Sequence, residues 1–188
     1  MIKEKFEQMI ADLQNSICNE IELLDGKAKF KEDVWTRDGG GGGFTRVLEN
    51  GNIFEKAGVN RSAVHGEVTP ALAAQLKTKG SHFFATGLSL VIHPLSPMVP
   101  TTHANFRYFE LYDENKNKID SWFGGGADLT PYYLFEEDAI HFHKTFKVAC
   151  DQFDPSFYPK FKMHCDDYFN NTHRNNERRG VGGIFYDY

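Results

Sequence analysis

The sequence is poor in cysteine. Its 188 residues hold three, Cys18, Cys150 and Cys165, an odd number with no close-pair spacing. That excludes a disulfide framework or a zinc knuckle and points to a reducing compartment, with the thiols read as core. A basic excess is missing too: 21 Lys plus Arg face 26 Asp plus Glu, a net charge of −5. A nucleic-acid binder would normally carry a basic face, so no nucleic-acid partner is expected. No apolar run approaches the roughly 18 residues of a membrane-spanning helix. The opening Met1-Ile2-Lys3-Glu4-Lys5-Phe6-Glu7 has no apolar signal core and is too acidic for a transit peptide. These absences favour the cytoplasm, with the mitochondrial intermembrane space as the other compartment in view. Internal repeats, linkers and low-complexity tails are also missing, so one domain over residues 1–188 is expected.

Aromatics, by contrast, make up 14% of the chain, with 17 Phe and 8 Tyr, beside 17 Gly and 8 His. Such a composition suits a host for a flat organic ligand and an ordinary β-rich core equally well.

Phe6, Met9, Ile10, Leu13, Ile17, Ile21 and Leu24 recur every three or four residues, which predicts an amphipathic helix over 4–24 ended by Asp25-Gly26. Asn50-Gly51 between apolar runs predicts a type I′ hairpin. The five glycines at 39–43 are no phosphate loop, because no Lys-Ser or Lys-Thr follows them. They read either as a flexible loop or as a close backbone approach to a ligand beside Arg37 and Arg46. Strands are expected at 83–93, 102–112 and 118–123, the last broken by Gly124-Gly125-Gly126. Helices are expected over 138–151, capped by Thr130 or an acidic residue, and over 154–173; a last strand follows at 181–186.

Strand residues two apart share a face. Ser89, Val91 and His93 therefore share one side, as do His103, Asn105 and Arg107, while Phe106 falls on the other side with Ala104 and Tyr108. If the two polar faces align, Ser89, His93, His103, Asn105 and Arg107 form one patch of donors and titrating groups. That patch reads as a site or as a solvated sheet face. His141 and His143, two apart on a helix, cannot form a helical metal pair. His173, Arg174, Arg178 and Arg179 suit either a helix dipole or a polyanionic ligand. Asp128 could enter a helix or sit as a buried carboxylate facing a ligand.

Five segments together resemble oxygen-dependent coproporphyrinogen III oxidase. They are Trp35-Thr36-Arg37 with Arg46-Val47-Leu48; Gly58-Val59-Asn60 with Val64-His65-Gly66; Leu88 to Pro94 with Val99 to Arg107; Trp122 to Pro131 with Glu136 to His143; and Cys165 to Phe169, His173-Arg174 and Arg179 to Phe185. The resemblance implies an α+β fold, a large flat antiparallel sheet flanked by helices, acting as a homodimer. It implies oxidative decarboxylation of coproporphyrinogen III to protoporphyrinogen IX in haem biosynthesis, with O₂ as co-substrate and no organic cofactor. It puts a general acid on His103, a pyrrole N–H acceptor on Asp128, and substrate contacts on Ser89, Asn105, Phe106 and Arg107. Arg174 and Arg179 suit the propionates, with Arg178 the alternative to Arg179 because the segment is one residue longer here than the family pattern. Some bacterial members are described with a divalent metal on four histidines, which map to His93, His103, His143 and His173; other members are regarded as metal-free. Family members continue well past Gly182-Gly183-Ile184-Phe185, so the chain is expected to hold the N-terminal two-thirds or so of one domain, with uncovered strand edges. Two further readings stay open: a tetrapyrrole-binding fragment without activity, and a His-ligated metalloenzyme of other chemistry.

Overall fold

A computed structural model describes residues 2–187. Its elements run α1 (Ile2–Asp25), β1 (Lys31–Thr36), β2 (Gly41–Glu49), β3 (Phe54–Glu67), α2 (Pro70–Leu76), β4 (His82–Pro94), β5 (Thr101–Tyr112), β6 (Lys118–Thr130), α3 (Glu136–Asp151) and α4 (Phe157–Tyr168). Two-residue strands β7 (Asn170–Asn171) and β8 (Glu177–Arg178) precede β9 (Gly182–Tyr186). Seven strands form one antiparallel sheet in the order β1-β2-β3-β4-β5-β6-β9, which establishes the α+β class.

One face of the sheet is buried. Along β4, Phe84, Thr86, Leu88 and Leu90 are buried, while Ala85, Gly87 and Ser89 between them are only half-buried. Helix α1 lies on the buried face with Phe6, Ile10, Cys18 and Ile21 against Leu48, Ala57, Val59 and Tyr108. Met9 and Leu24, expected to pack with them, are instead 50% and 63% exposed. Gln14 sits in the same stripe, fully buried. Its Nε2 donates to the carbonyls of Phe44 and Val59, at 3.0 and 2.9 Å, and its Oε1 accepts from Arg61 Nε at 2.9 Å. A buried amide is tolerated only with its partners made, and here they are.

The hairpin at Asn50-Gly51 forms, but not as a type I′ turn. Asn50 alone takes a positive φ, 58°, and the loop extends to Ile53. Asp25, at the end of α1, accepts from the backbone N–H groups of Ala28, Asn52, Ile53 and Phe54, at 2.8 to 3.1 Å. Those donors, Ala28 foremost, hold the Asp25 carboxyl well below the usual carboxylate range. A Cβ on Gly51 would stand 2.1 Å from that carboxylate.

The triple glycine does not break its strand: β6 runs unbroken through Gly124, Gly125 and Gly126. Their value is close approach, since a Cβ at Gly125 would lie 2.4 Å from the Asn105 carbonyl oxygen. The glycine run at 39–43 is split. Arg37 to Gly41 close a turn, Gly40 and Gly41 have φ of 108° and 89°, and Gly41 to Gly43 belong to β2. Helix α3 starts at Glu136 with no side-chain cap; Thr130 ends β6 instead, and three acidic residues fill the helix's first turn. Helix α4 stops at Tyr168, five residues short of the expected end. Asn171 accepts from the His173 N–H, and Asn175 and Asn176 take left-handed φ, so the asparagine-rich stretch folds as a short hairpin.

Candidate functional site

The face of the sheet opposite α1 carries the polar patch. Register sets Ser89 opposite Asn105, Val91 opposite His103, and Ser89 opposite Asn60 on its other side. Across β5 and β6, His103 faces Asp128, Asn105 faces Gly126 and Arg107 faces Gly124. Gly87, Gly124 and Gly126 lie beside the polar groups on this face; Gly87 is half-buried, whereas Gly124 is covered by the Arg107 and Asp187 side chains and Gly126 by β9 and the Phe185 ring. Ser89, His103, Asn105, Arg107 and Asp128 thus gather as the two-residue period requires.

Asp128 is the hub. It is 2% exposed. Its Oδ2 accepts from His103 Nδ1 at 2.8 Å and from Arg179 Nη2 at 2.6 Å; its Oδ1 accepts from Arg179 Nε at 3.1 Å. Three of the carboxylate's roughly four lone-pair positions are therefore taken. A pyrrole N–H could reach Asp128 directly only through what remains; in this geometry the carboxylate orients His103 and Arg179. Because a carboxylate accepts only, the His103 proton sits on Nδ1 and Nε2 is left unbonded by Asp128. Arg179 also lies over the Phe169 ring, 3.7 Å from its centroid.

Two cavities flank this hub. One, of about 300 Å³, is lined by His93, Thr101, His103, Asp128, Tyr132 and Arg179. The other, of about 270 Å³, lies between His103, Asn105, Arg107, Phe169, Arg179 and Phe185. Arg107 is held by Asn105 Oδ1 at 3.2 Å and by the carboxylate of Asp187. No sequence signal pointed to Asp187, which lies 80 residues away and reaches Arg107 only because β9 pairs with β6.

Other candidates fall elsewhere. Phe106 points to the opposite face and packs against the core beneath α1, so it does not stand beside Asn105 and Arg107. Arg174 is 71% exposed and pairs with Glu177 at 3.8 Å. Arg178 goes to Asp166, at 3.3 Å, which leaves Arg179 as the arginine of the hub. The four histidines do not assemble. His93 contacts Thr101 Oγ1 at 3.5 Å; His143, on α3, bonds the Val181 carbonyl at 3.0 Å and Tyr158 Oη at 2.9 Å; His173 is exposed in the turn after β7. Among the described residues no group of three or more His, Cys, Asp or Glu is placed to hold a metal. The histidine set thus does not fit a shared ion here.

The family model for coproporphyrinogen III oxidase matches residues 5–188. The chain belongs to the coproporphyrinogen III oxidase family. It is 53% identical to coproporphyrinogen-III oxidase 1, chloroplastic, of Arabidopsis thaliana, over 99% of this chain and 50% of that protein. It is 51% identical to the mitochondrial oxygen-dependent enzyme of Rattus norvegicus, over 99% of this chain and 44% of that protein. The oxygen-dependent coproporphyrinogen-III oxidase of Drosophila melanogaster is 50% identical, over 99% and 50%. The chain thus spans about half the length of the curated relatives it matches. No helix among the described residues is long and apolar enough to cross a membrane.

Proposed function

We propose that this chain binds coproporphyrinogen III on the open sheet face and takes part in its oxidative decarboxylation by O₂. Each turnover of one propionate converts R–CH₂–CH₂–COOH and O₂ into R–CH=CH₂, CO₂ and H₂O₂. The observation that carries the reading is the hub: a buried carboxylate holding a histidine and an arginine together beside a cavity that Asn105 and Arg107 also line, in a chain of this family.

The parts have separate work. Gly124, Gly125 and Gly126 let β5, β6 and β9 close up, which brings Arg107, Asp128 and Phe185 to one cavity. Arg107 and Arg179 offer guanidinium forks to propionates, which keeps a carboxylate ionised and ready to leave as CO₂. Ser89 and Asn105 add neutral hydrogen-bond partners. His103, oriented through Nδ1 by Asp128, presents Nε2 for proton transfer as the general acid. A substrate propionate at Arg107 would have to displace Asp187. The reading further includes a homodimer, no organic cofactor and a cytoplasmic location; among the relatives, the Arabidopsis thaliana protein is named chloroplastic and the Rattus norvegicus one mitochondrial. A fluorescent fusion and sedimentation analysis would test location and dimer.

The decisive assay gives anaerobically prepared coproporphyrinogen III to the full-length protein, admits O₂, and follows oxygen uptake and fluorescent protoporphyrin, with and without EDTA. Product in both conditions supports the reading. Replacing His103 by Ala is expected to slow turnover by about 10²–10⁴-fold, the usual worth of a positioned acid. Tetrapyrrole binding without oxygen uptake would make this a binding protein, and activity lost to EDTA would favour a metalloenzyme.

A further inference from the structure

A second polar cavity lies at the other end of the strands. It is about 290 Å³ and is lined by Lys3, His65, His82, Phe83, Phe84 and Lys116, with Tyr112 and Gly66 completing it. Tyr112 stands nine residues along β5 from His103. At strand rise that is roughly 30 Å, so the two sites share no residue and no wall.

Four features mark this cavity as more than a surface dent. First, it gathers two lysines and two histidines in a chain of net charge −5. Second, among the described residues no salt bridge holds either ammonium. Lys3 Nζ lies over the Phe84 ring, 3.6 Å from its centroid, and Lys116 is exposed in the β5–β6 turn. Third, the buried Nδ1 of His82 has no hydrogen-bond partner. Such orphaned groups are rare, because an unmade bond in a buried position costs free energy. Fourth, two of the carboxylates around it are occupied. Glu110 is saturated by Tyr108, Tyr112 and Lys118, and Asp113 by Asn117; Glu4 and Glu67 are exposed. Arg37 adds positive charge at the rim, where its guanidinium donates to the His65 carbonyl at 3.0 Å and stands 5.9 Å from the Phe83 ring centroid.

We propose that this cavity is a binding site for a small oxyanion, a phosphate or carboxylate group, remote from the tetrapyrrole face. The ammonium groups of Lys3 and Lys116 supply charge, and His82, whose enclosed Nδ1 has no partner, supplies a directed ring donor once its imidazole turns toward the cavity. The volume sits at the lower limit for small-molecule sites, which suits a compact anion. The proposal does not depend on the function assigned to the open face.

The test titrates the protein with inorganic phosphate, and separately with succinate, against chloride at matched ionic strength. Calorimetry and the histidine ring resonances are the readouts. Saturable binding that shifts the His82 ring signals is expected, with the tighter of the two anions naming the source. The variant Lys3→Gln with Lys116→Asn should weaken binding at least tenfold; Asn is chosen because position 116 has φ of 62°, which Asn tolerates. Should that variant unfold, the His82 shifts in the unaltered protein still decide the matter. Absence of saturable binding, or saturable binding that leaves the His82 signals unmoved or survives the double substitution, would overturn the proposal.

Discussion

Arg179→Met should destabilise the chain more than Asp128→Asn, although the two residues share one ion pair. The asymmetry follows from what each change leaves behind. Asp128's side chain is 3% exposed, whereas those of Arg179 and His103 are 42% and 33% exposed. Removing Arg179 strips two donors from a buried carboxylate and leaves His103 as its remaining side-chain partner. Breaking a fully buried pair this way costs about 3–5 kcal/mol; with His103 still in place we expect about 2–3 kcal/mol. Loss of the stacking on Phe169 adds about 0.5–1 kcal/mol. Asp128→Asn keeps the shape and strands no charge in the interior, because the guanidinium can turn to water. Its cost should be about 1 kcal/mol, near that of an ordinary hydrogen bond. The gap of roughly 1.5–3 kcal/mol exceeds a tenfold change in the folding equilibrium. Urea unfolding at pH 7, followed by fluorescence and circular dichroism together, resolves it, since slopes of about 1–3 kcal/mol/M turn it into a clear midpoint shift. Arg179→Lys is the control: charge is kept but the two-pronged geometry is lost, and an intermediate midpoint is expected. Equal costs, or a larger cost for Asp128→Asn, would refute the placement of a buried carboxylate at the centre of the site.

Gly183→Ala should be among the most damaging single changes, since its Cβ would stand 1.8 Å from the Ala127 carbonyl oxygen, a backbone atom that cannot step aside. A loss of about 3 kcal/mol, the top of the usual overpacking range, is expected in the same urea assay, and early hydrogen exchange of β9 would locate it. Asp25 predicts an acid limit. A carboxyl held below its unfolded pKa of about 3.9 contributes stability above that pH, and the contribution fades as the pH falls below it. Asp25→Asn should therefore lower the thermal midpoint at pH 7, with the difference from the parent chain narrowing progressively as the pH falls below about 4; a pH-independent difference would contradict this.

The sequence by itself determined the periodic parts. Two-residue alternation in β4 and β5 was enough to set Ser89, His103, Asn105 and Arg107 on one face, because side-chain direction in a strand is a property of the backbone alone. The same alternation set Phe106 on the other side, where it packs against the core and away from Asn105 and Arg107. The five-segment resemblance was equally legible, being a matter of residue order. Glycine was where local reading misled. Without neighbours, Gly124-Gly125-Gly126 reads as a break; beside the Asn105 and Ile184 carbonyls it is the residue type that lets three strands close up.

What only the tertiary structure decided were contacts between residues far apart in the chain. Asp25 closing the turn at 50–53, Asp187 reaching Arg107, and the choice of Arg179 over Arg178 for Asp128 all depend on which strands become neighbours. So does the failure of His93, His103, His143 and His173 to meet. Local sequence sets which way a side chain points from its own strand or helix; the burial of the apolar face against α1, and the pairing order of the sheet, set what it points at.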